Sequence, residues 1–426
     1  MKTISLFFKD NTNVIYNIRT KLEKSASWLL FLGVFFIPLN ISATNTLCVL
    51  AFVFFLLSVP SRDRLSPLKT NPVALLSLCY IAWLGIGLLW TQDLSWGWTI
   101  VRKSRRIMFL PFFICLMKKE HLGPVITSYL TGCTIAMLVS FAVFFSIIPE
   151  FDRAVVSDPC VFTSHIFYTP LMAWGTYCAL AFARFRPDLK PAIRIGLVCL
   201  SLLILTNLFL TKGVAGYAAI FVLLGVFAVQ STKLNIKYVT LITIFLALLF
   251  GTMLTFNTGF RDRICQNMNE IRTFDDKSLE SENSSIGPRL IMWKNCLTLI
   301  KSNPIMGVGT GDLPSAYEPL QSMAEYERFH EPIKNPHSHY FFVLTQSGII
   351  GLVLCLAPFI LSIMKSGSLT NPHRSFLQAF SVFLLVIMIG DIYLNTSRMG
   401  SLYAIFGSVL FQDLHWKRRI KDKTIG

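Results

Sequence analysis

Apolar residues in this chain come in long blocks rather than at the two-residue or 3.6-residue spacing of half-buried strands and surface helices. The blocks cover approximately 25–40, 41–59, 72–90, 100–117, 122–148, 161–183, 193–211, 213–230, 237–256, 337–364, 374–390 and 397–412. Most are long enough to carry a helix across ~30 Å of hydrocarbon. Regular β-barrel alternation is absent, so helices are the remaining way to satisfy backbone polar groups in lipid. The pattern predicts an all-α integral membrane protein of about twelve transmembrane helices. One large loop, 257–336, separates an N-terminal bundle (1–256, about nine helices) from C-terminal helices and a basic tail (337–426). The polar N-terminus lacks a cleavable-signal pattern, so the first block reads as a retained helix.

Composition sharpens this picture. Of 426 residues, 53% are hydrophobic and 15% charged, against about a quarter charged in soluble domains. The net charge of +16 would suggest nucleic acid in a soluble protein, but in a membrane protein it is first read through the positive-inside rule. Alternate connections, from the N-terminus through RDRLSPLK, KKEH, RFRPDLKPAIR, STKLNIK and KSGSLTNPHR to the KRRIKDK tail, hold 23 of the 39 Lys and Arg. That set is assigned to the cytoplasm, with both termini inside, and the 257–336 loop to the periplasm. The loop carries nine Lys and Arg against eleven Asp and Glu, the balance of a small folded cap. Seven cations remain near the outer face: Arg102, Lys103, Arg105, Arg106, Arg153, Lys212 and Arg398. A buried unpaired cation costs about 2.5–3.5 kcal/mol on insertion scales, so such a ring suggests an anionic ligand. The competing reading is that they snorkel to headgroups or anchor helix ends.

Most of the ten cysteines lie in apolar blocks as small core residues, and no Cys/His spacing suggests a metal site. A Cys265–Cys296 disulfide is permitted by their common side. Within the loop, SSIGPRLIMWKNCLTLIKSNP reads as one amphipathic helix. Ser284 or Ser285 caps it, Pro288 lies in its first turn, and Leu290, Trp293, Leu297 and Ile300 form its apolar stripe. GVGTGD (307–312) lacks the strand–loop–helix context of a phosphate loop and reads as a turn. The next helix is expected to start at Pro336, capped by Asn335, with His337 in its first turn. There the helix dipole disfavours imidazolium and suits a general base. His337 and His339 are two apart and cannot share a metal while helical. Arg102, Arg105 and Arg106 fall on one helical face.

These residues resemble the O-antigen ligase and polymerase superfamily of bacterial envelopes. GPRLIMWKNCLTLIKSNPIMGVG is similar to its Arg, aromatic helix, Asn/Ser-Pro and Gly-rich turn. NPHSHYFFVLTQSGIIGL is similar to its His-Asn-x-x-Leu block, and the spacing to Gly348 and Gly351 selects His337 over His339. LLWTQDLSWGW and the Arg102–Arg106 cluster resemble its Trp-Ser-x-Asp segment and basic helix, and Arg153 its short outer loop. Two positions depart: Thr211-Lys212-Gly213-Val214 stands where the family has Thr-Gln-x-Arg, and Ser338 where it has Asn.

The resemblance implies a GT-C-like membrane glycosyltransferase without cofactor or metal. It would transfer glycan from undecaprenyl pyrophosphate to a hydroxyl of lipid A–core at the periplasmic face of the inner membrane. His337 would be the base and Arg289 the second catalytic residue. Lys212, Arg153, Arg102, Arg105, Arg106, His339, Tyr340 and Arg398 would line the substrate. An O-antigen polymerase, a ligase acting on protein, and a lipid-glycan transporter are the alternatives. The transporter is disfavoured because charges cluster at one face rather than along a route.

Overall fold

The computed structural model describes residues 2–58, 64–232, 251, 255, 258–272, 287–321 and 333–415, the side chains of 2–16, 258–260, 263, 264 and 267 apart. It is 77% helix. The described residues hold no strand, only two isolated bridges, Phe151 with Ala154 and Val155 with Asp158. The longer helices among the described residues are α1 (Lys2–Phe36), α2 (Ile41–Leu57), α3 (Pro72–Ile86), α4 (Leu94–Lys103), α5 (Arg105–Leu116), α6 (Leu122–Phe144), α7 (His165–Phe185), α8 (Pro191–Phe209), α9 (Val214–Thr232), α10 (Thr258–Arg272), α11 (Gly287–Ser302), α12 (His339–Lys365), α13 (His373–Ile387) and α14 (Ser397–Leu410). Among the described residues six stretches, those of α3, α6, α7, α8, α9 and α12, are long and apolar enough to cross a membrane, and α2 and α13 are shorter apolar helices. The predicted block 237–256 falls almost wholly outside the described residues.

Caps explain several boundaries. Asn40 accepts the Ala43 N–H at 3.0 Å at the start of α2. Asn71 accepts those of Val73 and Ala74 ahead of Pro72 in α3, while its amide donates to the Phe411 carbonyl at 2.7 Å. Side-chain acceptors satisfy N–H groups that a helix start leaves orphaned. In hydrocarbon such orphans have no water to turn to.

α7 and α14 form the centre. Trp174 of α7 stacks on Tyr177 and Phe383, with centroids 5.3 and 5.5 Å away, and meets Phe406 of α14 edge-on at 5.5 Å. One chain of polar groups in this core is paired end to end. Tyr168 donates to Asn207 at 2.7 Å, Asn207 to Ser140 at 2.8 Å, and Ser140 to the Pro159 carbonyl at 2.6 Å. Close approach relies on small residues, as is usual between membrane helices. A Cβ at Gly213 or Gly216 would collide with Thr169, so α9 lies tight against α7 and their N-termini come together.

Ion pairs and hydrogen bonds tie the connections together at each end of the bundle. At one end Arg64 pairs with Glu23, Lys119 with Asp413, and Lys365 donates to the His415 carbonyl. At the other, Arg398 donates to the carbonyls of Ile37 and Phe162, and Thr310 to that of Leu84.

Four local expectations are corrected. Block 100–117 is two helices, broken at Ser104, whose hydroxyl bonds back to the Ile100 carbonyl at 3.0 Å and so competes with the helix. The loop helix α11 buries Ile291, Met292 and Cys296. Leu297 of the expected stripe is 46% exposed, because the covered face is the one turned to α12 and the Leu313–Tyr317 turn. Ser284 and Ser285 lie outside the described residues. Cys265 and Cys296 are free thiols, one exposed and one buried. Finally, α12 starts at His339, not Pro336. The Asn335 side chain accepts the His337 N–H at 2.8 Å, an Asx turn that holds His337 at φ 50° and delays the helix.

GVGTGD is a turn, as its composition suggests, and it braces a break in α12. Gly307, Gly309 and Gly311 all have positive φ. Gly348 interrupts α12 at φ 60°, ψ −165°, a region essentially reserved for glycine. The backbone groups freed there are taken up by the turn: Val308 and Gly309 donate to Thr345 and Gln346, and Ile349 to Pro304. Asp312 accepts the N–H groups of Gln92 and Asp93 at 2.7 and 2.9 Å, which ties the turn to the start of α4.

Candidate functional site

A pocket of about 560 Å³ opens at the end of the bundle where α7 and α9 begin and α13 ends. Lys212, His165, Arg289, Gln266, Asp391 and Tyr393 line its polar side, and Val214, Ala215, Ala218, Val386, Ile387 and Ile389 its apolar side. Lys212 sits in the tight turn between α8 and α9. Arg289 stands exposed in the first turn of α11. α11 is fixed over the pocket by Trp293, which donates to the Pro336 carbonyl at 2.9 Å and stacks on Phe341. Tyr393 donates to the Ile166 carbonyl at 2.9 Å, joining the segment after α13 to the start of α7. Two helix N-termini therefore point at a cavity that also holds a lysine and an arginine. Backbone N–H groups and the helix dipole at such ends favour anions.

His337 stands beside this pocket through Asp391. Its Nδ1 lies 3.7 Å from Asp391 Oδ2, with the His337 side chain 34% exposed. That distance makes an electrostatic contact rather than a hydrogen bond. The Asn335 amide donates to Asp391 Oδ1 at 2.8 Å, and so does the Ile392 N–H at 2.7 Å. Asn335 thus holds both members of the pair, one through each end of its amide. Burial pushes the Asp391 carboxyl up, but His337, the Asn335 amide and the Ile392 N–H pull it down further, so it lies below the usual carboxylate range. With Nδ1 turned toward an ionised carboxylate, Nε2 is the ring nitrogen left for a reaction partner. His337 is also one of four non-glycine residues at positive φ among the described residues, a strained state that needs surrounding structure to persist.

The expected site residues divide. Lys212 and Arg289 line the pocket and His337 flanks it. The others lie elsewhere. Arg106 is buried and donates to Asn45, Ser397 and the Lys103 carbonyl, whereas Arg102 and Arg105 are exposed, so the break at Ser104 dissolves their shared face. Arg398 is buried on two carbonyls. Arg153 is exposed in the 149–161 connection. His339 is buried, its N–H donating to the Met388 carbonyl, and Tyr340 donates to that of Leu385, which docks α12 on α13. The ring of outer cations is therefore not one ring, and several of its members fasten helices to one another.

Asp391, Asn335, His165 and Asp158 were not singled out from sequence. The signal for Asp391 and Asp158 was their type: carboxylates just beyond apolar blocks, in a chain with 23 acidic residues. Asn335 was read as a helix cap, and its amide works one turn earlier.

Fold and site define a membrane protein whose bundle carries, at one end, a pocket that brings together a lysine, an arginine, a histidine and a carboxylate. Residues 199–356, more than a third of the chain, match the family model described as O-antigen ligase, so the chain carries that family's domain over this segment. The match runs from α8 through Lys212, Arg289 and His337 to the glycine break of α12. It supports membrane glycosyl transfer of the O-antigen ligase or polymerase type. No curated protein matches the chain significantly.

Proposed function

We propose that this protein transfers a glycan from undecaprenyl pyrophosphate to a sugar hydroxyl of lipid A–core, at the periplasmic face of the inner membrane and without a metal or cofactor. The observation that carries this reading is the meeting of Lys212, Arg289 and two helix N-termini in one pocket, with the His337–Asp391 pair at its edge. Diphosphate is the leaving group, and fixed positive charge aimed at it lowers the barrier as that charge develops. The apolar wall between α9 and α13 suits the first isoprene units of the carrier. His337 Nε2 takes the acceptor proton while the acceptor oxygen bonds to the anomeric carbon. The bond from that carbon to the diphosphate oxygen breaks, and the lipid diphosphate leaves. Attack opposite the leaving group inverts the anomeric centre.

The test is in vitro transfer with purified protein, lipid-linked donor and core acceptor, with and without EDTA. Loss of a positioned base costs about 10²–10⁴-fold, so His337→Ala is expected to insert normally and barely turn over. His339→Leu, which keeps the apolar packing of a buried position, is expected to retain most activity. EDTA is expected to change nothing. Near-normal turnover by His337→Ala would remove the base assignment, and activity lost in EDTA and restored by a divalent ion would remove the metal-free scheme. A polymerase has the same donor chemistry but a second lipid-linked glycan as acceptor. A deletion strain making core with a single repeat, rather than bare core with accumulated lipid-linked glycan, would favour that reading.

A further inference from the structure

The pocket contains a second histidine–carboxylate pair. His165 opens α7 and lines the cavity with Lys212 and Arg289. Its Nδ1 lies 3.1 Å from Asp158 Oδ2, with the two side chains 39% and 16% exposed. The other oxygen of Asp158 accepts the Lys212 N–H at 3.1 Å and the Cys160 thiol at 3.2 Å. One carboxylate therefore sets both the ring of His165 and the turn that presents Lys212. Burial raises the Asp158 carboxyl, but His165, Cys160 and the Lys212 N–H outweigh it and hold the group below its usual range. With Nδ1 on Asp158, Nε2 is the atom left to the cavity.

The charges facing this histidine are few. Asp158 and Cys160 come from the preceding connection and Lys212 from the α8–α9 turn. Arg289 comes from α11, and Asp391 and Tyr393 from the segment after α13. Counted over the charged groups, two cations stand against two carboxylates. A diphosphate adds two or more negative charges, which nothing in that set balances. An imidazole already fixed by a carboxylate on its far nitrogen is the group that can gain a positive charge there.

We propose that His165 is a diphosphate-binding residue of this pocket, held by Asp158 as a positioning residue, and that it takes up a proton as the diphosphate enters. This rests on the pocket being the donor site. The proton goes to Nε2, and the resulting Nε2–H donates to a diphosphate oxygen. When the glycosidic bond breaks and charge builds on that oxygen, the same hydrogen bond strengthens.

Calorimetry with full-length protein in nanodiscs tests this, with farnesyl diphosphate as the probe and two buffers of different ionisation enthalpy near pH 7.5. The wild type is expected to bind with net proton uptake. His165→Gln, which keeps size and a neutral donor, is expected to lose that uptake and about tenfold to a hundredfold in affinity, the range of a charge-assisted hydrogen bond. Asp158→Asn is expected to lose most of both, and His165→Arg to recover affinity without uptake, a pattern that a merely structural histidine would not give. Inorganic pyrophosphate competing with the probe supports recognition of the diphosphate itself. Equal binding to phosphatidylglycerol and phosphatidylcholine discs without probe excludes a general headgroup site, and preference for phosphatidylglycerol there, abolished by His165→Gln, would overturn the proposal. Binding without proton uptake, or unchanged affinity in His165→Gln while Lys212→Ala and Arg289→Ala weaken it, would overturn the proposal and leave the donor site standing. No farnesyl diphosphate binding by the wild type would remove the donor site itself.

Discussion

Asp391 joins the strained His337 turn to the pocket, and its protonation state decides whether that junction holds. Its carboxyl lies below the ordinary range in the folded protein, whereas in an unfolded chain it titrates near ~3.9. A carboxyl with a depressed folded value stabilises the native state at every pH above the unfolded value. That contribution fades as pH falls through the folded value. Asp391→Asn is therefore expected to lower the thermal midpoint of the solubilised protein by a constant amount from pH 8 down to about pH 5. The gap is expected to begin closing below about pH 4 and to vanish only once the pH falls beneath the depressed folded value, where the native wild type also becomes neutral. Thermal unfolding across pH measures it. A gap that instead closed between pH 7 and 6 would tie it to a histidine charge and not to the carboxyl.

Among the elements, the break in α12 is the least forgiving. A Cβ at Gly348 would strike the backbone of Ile305 and Met306, and the φ 60°, ψ −165° conformation is itself unsuited to other residues. Gly348→Ala is expected to cost at least ~1–3 kcal/mol from backbone strain alone, read as a lower thermal midpoint. Gly225→Ala, inside α9 with nothing within 4 Å of the added carbon, is expected to be neutral or slightly stabilising because alanine is the better helix former. Equal effects would mean that the turn at 307–312 yields easily. These elements also mark what the sequence discloses. Helix bodies were legible, because membrane length and apolar runs dictate them. Gly348 stood out by spacing, and GVGTGD by composition, yet neither reveals that one repairs the other, since that contact crosses nearly forty residues. The start of α12 was misread because Asn335 has two uses, capping a helix or closing an Asx turn, and only the tertiary partner Asp391 decides between them. The arginines could not be sorted from sequence for a similar reason. Arg106 and Arg398 sit at the face where a ligand cation would be expected, but nearby carbonyls and hydroxyls already use their donors.

At the scale of the whole molecule, the bundle sorts its connections by charge. The segments around Arg64, Lys119, Lys365 and His415 meet at one end, and the pocket with Lys212, Arg289 and His337 lies at the other. The first set belongs to the Lys- and Arg-rich connections, and membrane insertion retains such segments in the cytoplasm. By that rule the pocket end is expected to face the periplasm, the side on which the proposed donor would have to be presented. Alkaline phosphatase, active only outside the cytoplasm, and a fluorescent protein, active only inside it, read this out as fusions. Phosphatase fused after Ser302 or after Gly390 is expected to be active, and after Lys190 or Lys365 inactive, with the fluorescent reporter giving the reverse. Sites on both sides of the segment 233–257 are needed, because the parity of crossings there sets the side of everything that follows. Active phosphatase after both Thr211 and Ser302 would show an even number of crossings between them, as the α9 helix and one span within 237–256 require. Active phosphatase after Thr211 but not after Ser302 would put Lys212 and Arg289 on opposite sides of the membrane. That outcome would dissolve the pocket and the transfer reaction proposed for it.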